Sequence, residues 1–172
     1  MTVLVTGIAL GASNAWSQEL PFVEYRVDSE LNPLPSASVS DVFRDRHGYL
    51  WPVVYSSGLV RYDGHDMVQY DTSDGLPSNL VVEAVEDGKG HLWVSTRKGI
   101  AVSQKALGDY PAGQRIEFTT NLGGTKLAST DLKAESLAVD GQGALWVGLS
   151  GAVLRYSHGP GGLETKRVVL EP

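Results

Sequence analysis

Few residues in this sequence have the types and spacing that acid–base, nucleophilic or metal chemistry needs. The chain has four histidines, which are His47, His65, His91 and His158. No two of them show the His-x-x-x-His or similar spacing of a metal site, so we predict that they are exposed turn residues. The sequence also lacks a Gly-x-Ser-x-Gly nucleophile elbow and a phosphate-binding loop. We therefore expect no catalytic residues, no metal site, no cofactor and no enzymatic activity in this chain.

Three aspartates recur at equivalent places in a short motif, Asp-x-x-Gly-x-Leu-Trp. Its copies begin at Asp45, Asp87 and Asp140. Clustered carboxylates can act as general acids and bases, but an aspartate fixed at the start of a turn has a simpler use. Its side chain accepts hydrogen bonds from amides two residues on, and the glycine supplies the positive φ that a tight turn needs. We therefore interpret these aspartates as structural.

The repetition of this motif predicts the elements around it. Trp51, Trp93 and Trp146 follow one another at intervals of 42 and 53 residues, and a β-rich run precedes each turn. A period of about 40–45 residues fits a four-stranded propeller blade. Leu92 and Trp93 are adjacent, so they point to opposite faces of a strand, which indicates that both faces of the sheet are covered. We predict an all-β fold, an incomplete β-propeller of about three four-stranded blades.

The motifs together resemble the two-component regulator propeller repeat. The resemblance extends from about Pro21 to the end and rests on the Asp-x-x-Gly-x-Leu-Trp turns, on residues 58–64 (Gly-Leu-Val-Arg-Tyr-Asp-Gly), on Tyr70 and on residues 75–79 (Gly-Leu-Pro-Ser-Asn). That family forms the periplasmic sensor part of hybrid histidine kinases and related diguanylate cyclases. The resemblance implies that the full-length protein supplies further blades and signalling domains as partners.

Two departures from the family pattern put the strand register in doubt at two turns. The first copy has one extra residue between Trp51 and Gly58, and the third has one fewer between Trp146 and Gly151. Blade boundaries are predicted at residues 38–70, 80–120 and 132–170, within a propeller segment of residues 18–172. The second blade holds the extra residues, which we place in a loop at residues 103–114.

The first 17 residues are uncharged and rich in apolar and small side chains, as in the later part of a secretory signal peptide. The basic segment that normally opens such a peptide is missing, and a buried first strand is the alternative. The segment is too short and too rich in Gly and Ser for a spanning helix. We predict a signal peptide at residues 1–17, a periplasmic or extracellular location, and no membrane segment in this chain.

Composition limits the partners that the chain can have. Its 172 residues carry a net charge of −6, which disfavours sequence-independent binding to nucleic acid. It contains no cysteine, so disulfides and cysteine-ligated metals are excluded.

Two functions fit these observations: a module that binds a small molecule such as a glycan fragment, and a propeller enzyme of the streptogramin-lyase kind. The connections that vary between blades favour binding, because variable loops on a rigid scaffold are where binding sites usually lie. Arg97 and Lys98 are adjacent cations in one such turn and could receive a carboxylate or sulfate. Asn79 could donate to a sugar hydroxyl. The alternative is that all three are solvated turn residues.

Overall fold

The computed structural model describes residues 34–36, 38–122, 125–127, 134–160 and 162–168. The signal peptide predicted at residues 1–17 lies outside them. Short strands and tight turns form almost all of the described chain, as expected from the turn-forming residues that separate its β-rich runs. The predicted all-β fold is confirmed, with three four-stranded antiparallel sheets.

Each sheet is a meander in which strands adjacent in sequence pair. Sheet 1 contains β1 (Val39–Arg44), β2 (Leu50–Val54), β3 (Gly58–Tyr62) and β4 (Met67–Tyr70). Sheet 2 contains β5 (Val81–Glu86), β6 (Leu92–Thr96), β7 (Gly99–Ser103) and β8 (Phe118–Thr119). A two-stranded ribbon follows, β9 (Asn121–Leu122) with β10 (Thr125–Lys126). Sheet 3 contains β11 (Ala134–Val139), β12 (Leu145–Leu149), β13 (Ala152–Gly159) and β14 (Gly162–Val168).

The sheets stack through the alternating side chains of their strands. Leu92 lies in the apolar cluster between sheets 1 and 2, together with Trp51. Its neighbour Trp93 lies in the next cluster, between sheets 2 and 3, together with Leu145. Trp51, Leu92 and Trp93 are each fully buried, at 0% exposure. The adjacent Leu and Trp residues therefore point to opposite faces, as predicted. In each sheet the leucine side chain lies on the face toward the preceding sheet, and the tryptophan side chain lies on the face toward the following one.

Hydrogen bonds across the sheet edges add to this stacking. The Gly88 amide donates to the Gly143 carbonyl over 2.9 Å, which joins equivalent turns of sheets 2 and 3. Arg46 joins sheets 1 and 2, because its amide donates to Glu86 over 2.9 Å and its guanidinium donates to the Asp87 carbonyl. The backbone bond between Gly88 and Gly143 needs a close approach, and a Cβ added at Gly88 would lie 2.5 Å from the Gly143 Cα.

The strands keep a regular register at the two turns where the sequence departs from the family pattern. In sheet 1 the turn has three residues, with Ser56 at a φ of 59°, and Val54 still pairs with Gly58. In sheet 3 Leu149 pairs with Ala152, so the turn has two residues, as in sheet 2, and Gly151 lies inside it instead of opening the next strand. The sheet 1 turn thus takes up the extra residue with a φ above zero at Ser56, and sheet 3 has no deletion but a glycine displaced by one position.

Candidate functional site

The antiparallel meanders place successive connections at opposite ends of the sheets. One end, which we call the hairpin face, carries residues 55–57, 97–98 and 150–151 and the β4–β5 connection, residues 71–80. The other end, the Asp-turn face, carries the turns that begin at Asp45, Asp87 and Asp140, with residues 63–66 and 104–117.

On the hairpin face, the end of the β4–β5 connection contacts turns from two sheets. The Asn79 carbonyl accepts the Gly58 amide over 3.0 Å, and the Leu80 carbonyl accepts the Arg97 amide over 3.0 Å. These two bonds hold the β2–β3 turn of sheet 1 and the β6–β7 turn of sheet 2 against the end of this connection. The backbone of Asn79 is thereby placed within a fixed framework formed by sheets 1 and 2.

The Asn79 side chain has a local structural role. Its Oδ1 accepts the Thr72 amide over 3.0 Å, next to the 3-10 turn Thr72–Asp74. Asp71 caps the same turn by accepting the Ser73 hydroxyl and the Ser73 amide, each over 2.7 Å, and these two bonds lower the pKa of its carboxyl. The Asn79 oxygen is therefore committed to the connection, and the amide nitrogen is the group left to donate to a ligand.

Arg97 and Lys98 form the two-residue turn between β6 and β7, and both are exposed. The Lys98 amide donates to the Thr96 hydroxyl over 3.2 Å, and that hydroxyl donates to the Gly99 carbonyl over 2.8 Å. The backbone of the turn is thus fixed by a buried threonine, while neither cationic side chain bonds to another residue in the described part of the chain. Both cations can reach an anion in solvent without breaking a structural contact.

The Asp-turn face repeats one hydrogen-bond arrangement in all three sheets. The Oδ2 atom of each aspartate accepts the indole N–H of the tryptophan six residues later, from Trp51 to Asp45 over 2.9 Å, from Trp93 to Asp87 over 2.8 Å and from Trp146 to Asp140 over 2.8 Å. Each Oδ1 accepts the amides two and four residues later, over 2.8–3.0 Å. The amide bonds were predicted and the indole bonds were missed, although the constant Asp–Trp spacing was a signal for them.

These bonds favour the ionised form of Asp87 and Asp140. The Trp146 indole, with the Ala144 and Gln142 amides, lowers the pKa of Asp140 to about 2. Burial by itself raises the pKa of Asp87, but the hydrogen bonds from Trp93 and His158 outweigh it, so the pKa of that carboxyl lies below its ordinary value. A carboxylate that accepts this many N–H groups is a poor proton carrier, which supports the structural interpretation of the repeated aspartates.

The structure brings two histidines together that the sequence separates. The rings of His91 and His158 stack with centroids 5.5 Å apart and planes 20° apart. His158 Nε2 lies 3.0 Å from Asp87 Oδ2, and His91 Nδ1 lies 3.0 Å from the Ser103 carbonyl. The prediction that all four histidines are exposed turn residues is wrong for this pair, because the packing of sheet 3 on sheet 2 carries His158 across to the Asp87 turn.

Within the part of the chain that the structure describes, no three residues of the histidine, aspartate or glutamate type are grouped as metal ligands. In the same residues no helix has both the length and the apolar character that crossing a bilayer requires.

Residues 75–98 match the family model described as two component regulator propeller. This segment is similar to a two component regulator propeller repeat. It begins at Gly75, in the connection on the hairpin face, and runs through β5, the Asp87 turn and Trp93 to Lys98. The propeller repeat therefore contains Asn79, Arg97 and Lys98, the three residues predicted to bind a ligand.

Solved propeller structures share the fold. The extracellular domain assigned to a hybrid two component system of B. thetaiotaomicron matches with a TM-score of 0.59 and 15% identity, over 85% of this chain and 18% of that one. A catalytically inactive variant of virginiamycin B lyase from Staphylococcus aureus, solved with quinupristin, matches with a TM-score of 0.56 and 14% identity, over 80% of this chain and 44% of that one. The chain thus spans less than half the length of either structure. No curated protein matches it.

Proposed function

We propose that this chain is a ligand-sensing propeller segment of a bacterial signalling receptor and that it binds a small molecule, such as a glycan fragment, outside the cytoplasm. The observation that carries the proposal is the two component regulator propeller repeat at residues 75–98, on which all the candidate ligand contacts lie. The likeness in fold to an extracellular domain of a two component system supports it. The segment itself has no enzymatic role in this proposal.

The binding site that we propose is on the hairpin face. Arg97 and Lys98 supply two free cations on a rigid two-residue turn, and a guanidinium can bind a carboxylate or sulfate through two parallel hydrogen bonds. The Asn79 amide nitrogen supplies a neutral donor beside them. An acidic oligosaccharide offers both kinds of acceptor, so it is the ligand class that fits these three residues.

Signalling across a membrane requires that this segment is exported. We propose that residues 1–17 act as the export signal and that the segment functions in the periplasm or at the cell surface, with the output domain on the other side of the membrane. Sequencing the mature N-terminus from the host tests this, and we expect it to begin between Trp16 and Glu19. An intact Met1 in the cytoplasmic fraction would refute export.

A lyase is the second candidate, because the fold is shared with virginiamycin B lyase. At 14% identity this likeness concerns the fold alone. Incubation of the full-length protein with quinupristin separates the two candidates, since a lyase consumes it and a sensor leaves it intact.

The binding proposal is tested by calorimetry on the full-length protein, titrated with sulfated and uronic-acid oligosaccharides. We expect the Arg97→Ala/Lys98→Ala variant to lose about tenfold or more in affinity for the ligand that wild type binds, since hydrogen bonds to charged groups are each worth about 1.5–3 kcal/mol. Lys166→Ala/Arg167→Ala is the matched control, because those two adjacent cations are also exposed but lie on β14. Equal affinity of wild type and the Arg97/Lys98 variant for every ligand would rule out this site.

A further inference from the structure

On the Asp-turn face, the connection between the third and fourth strands of sheet 2 is longer than its counterparts in the other two sheets, and it forms one side of a groove. The third and fourth strands are joined by residues 63–66 in sheet 1, and in sheet 3 Gly159 already pairs with Gly162 across a tight hairpin. In sheet 2 the same connection runs from residue 104 to residue 117. Connections of this length within a compact domain usually have a function.

The long connection is held against sheet 1 by specific contacts. The Arg115 guanidinium donates to both Asp74 carboxylate oxygens over 2.8 Å and to the Gln69 carbonyl over 2.7 Å, and it lies 5.0 Å from the centre of the Tyr70 ring. Ile116 beside it is buried, at 2% exposure. The Leu107 amide donates to the Gly90 carbonyl over 2.7 Å. The connection is therefore a fixed wall.

Between this wall and sheet 1 lies a cavity of about 650 Å3, which opens to solvent. Tyr49 and Arg61 line it from sheet 1, Asp63 and Asp66 from the β3–β4 turn, and Tyr110 from the long connection. The two tyrosines are half-buried, so each presents part of its ring to the cavity. The volume lies within the range of about 300–1,000 Å3 that small-molecule sites occupy.

Two charges of opposite sign in the cavity, on the Arg61 guanidinium and the Asp66 carboxylate, form no hydrogen bond with the described residues. The Arg61 guanidinium lies over the Tyr49 ring, 5.2 Å from its centre, and donates no hydrogen bond to another described residue. The Asp66 carboxylate accepts none from the described residues either. The Asp66 and His65 amides donate to Asp63 over 2.7 and 2.8 Å, which lowers the pKa of Asp63 and keeps it ionised. A free guanidinium and two carboxylates therefore line one cavity.

We propose that this groove binds a small zwitterion of the α-amino-acid class, either free or as a short peptide. The Arg61 guanidinium binds the carboxylate through paired N–H donors, and its contact with Tyr49 fixes the plane in which those donors lie. Asp63 and Asp66 receive the ammonium group. The Tyr49 and Tyr110 rings contact an apolar or aromatic side chain.

The charges of the groove oppose the other ligand classes. A purely anionic ligand would meet the Asp63 and Asp66 carboxylates, and like charges that approach closely in an interface are costly. A purely cationic ligand would displace water from the Arg61 guanidinium without giving it an anionic partner. A neutral ligand would pair with neither charge. This inference does not depend on the proposed binding site on the hairpin face, because the two sites lie at opposite ends of the sheets.

The test is calorimetric titration of the full chain with four probes. L-phenylalanine and L-alanyl-L-phenylalanine each carry both charges, N-acetyl-L-phenylalanine carries only the carboxylate, and L-phenylalaninamide carries only the ammonium group. We expect at least one of the two zwitterions to bind, and the one that binds tells a free amino acid from a peptide. The two singly charged probes are expected to bind at least tenfold more weakly. Binding of neither zwitterion, or equal binding of a singly charged probe, would overturn the proposal.

Variants assign the binding to this groove. Arg61→Gln is expected to weaken zwitterion binding by about tenfold or more, while Arg167→Gln, which removes an exposed arginine from β14, is expected to leave it unchanged. Asp66→Asn provides a second test, because Asp66 is exposed and its carboxylate accepts no hydrogen bond from a described residue. If neither Arg61→Gln nor Asp66→Asn weakens binding, the zwitterion does not bind here and the proposal is wrong.

Discussion

The Asp87 carboxylate accepts hydrogen bonds from four groups, which belong to three parts of the fold. It accepts two amides of its own turn, the indole of Trp93 and the imidazole of His158, and its side chain is 2% exposed. A buried carboxylate without such partners would be costly, because the charge would lose its hydration. Asp87 instead couples the turn, the large aromatic between sheets 2 and 3, and a strand of sheet 3. We therefore expect the most sensitive positions of the chain to lie around this residue.

Trp93 should be the most costly single truncation. It is fully buried between two sheets, packs 5.5 Å from the Tyr156 ring and bonds to Asp87. We expect Trp93→Ala to lower the free energy of unfolding by about 3–5 kcal/mol, as for other buried aromatic truncations. Lys89→Ala, which changes an exposed side chain in the adjacent turn, should stay within about 0.5 kcal/mol. Urea unfolding followed by fluorescence measures both, and similar losses would contradict the packing.

Acid should destabilise the chain through the repeated aspartates. The pKa of Asp140 is lowered from 3.8 to about 2 in the fold, and that of Asp87 is also lowered. A lowered folded pKa means that the unfolded chain binds the proton more readily, so stability is complete above pH 3.8 and falls as the pH drops toward about 2. Urea midpoints measured across this window should decline. Asp140→Asn should be less stable at neutral pH and should show a shallower decline, and an unchanged slope would count against the Asp140 contribution.

At the level of elements, the sheets are joined most closely where the turn of sheet 2 meets that of sheet 3. Gly88 and Gly143 approach so closely that no side chain fits between them. Gly141 has the same position in its own turn as Gly88 has in sheet 2, yet a Cβ at Gly141 would meet nothing within 4 Å. The same motif therefore has different steric limits in two sheets, because only one of the two glycines faces a neighbouring turn.

This difference predicts opposite results for two matched substitutions. Gly88→Ala would place a Cβ 2.5 Å from the Gly143 backbone and force the two turns apart, which we expect to cost about 1–3 kcal/mol. Gly141→Ala should cost much less. Thermal melts of the two variants provide the measurement, and equal stabilities would show that sheets 2 and 3 do not meet at these turns.

The sequence predicted the elements that depend on local chemistry. Turns at the repeated aspartates and the opposite directions of Leu92 and Trp93 follow from hydrogen-bonding capacity and strand geometry. Contacts between distant segments did not follow. The stacking of His91 on His158 depends on how sheet 3 sits on sheet 2, and the groove depends on the Arg115 contact with Asp74. Neither contact leaves a periodic signal in a single sequence.

At the scale of the whole molecule, the stacking leaves part of one sheet face exposed at each end, as far as the described residues show. Val42 and Leu50 are 55% and 37% exposed on the outer face of sheet 1, opposite Trp51. On the outer face of sheet 3, Trp146 is half-buried and has the Arg155 guanidinium 5.6 Å from its ring centre. The equivalent tryptophans of sheets 1 and 2, Trp51 and Trp93, instead share an apolar cluster with a leucine of the next sheet. Apolar sheet faces of this kind associate with other surfaces.

We expect the 172-residue chain to self-associate through these faces. Sedimentation velocity over a range of concentrations should show association, and Trp146→Lys should reduce it by placing a charge on the outer face of sheet 3. Tyr55→Lys is the control, because Tyr55 is 61% exposed but lies in a turn on the hairpin face. A monomer at all concentrations would contradict the role of the sheet faces.

The central claim, that this chain is the sensing segment of a membrane receptor, is tested most directly by sequencing the complete transcript that encodes it in its host. We expect the reading frame after Pro172 to contain further Asp-x-x-Gly-x-Leu-Trp repeats, then a membrane-spanning helix and a cytoplasmic kinase or cyclase domain. A frame that completes a propeller and ends without a membrane helix or a signalling domain would contradict the claim and favour the lyase.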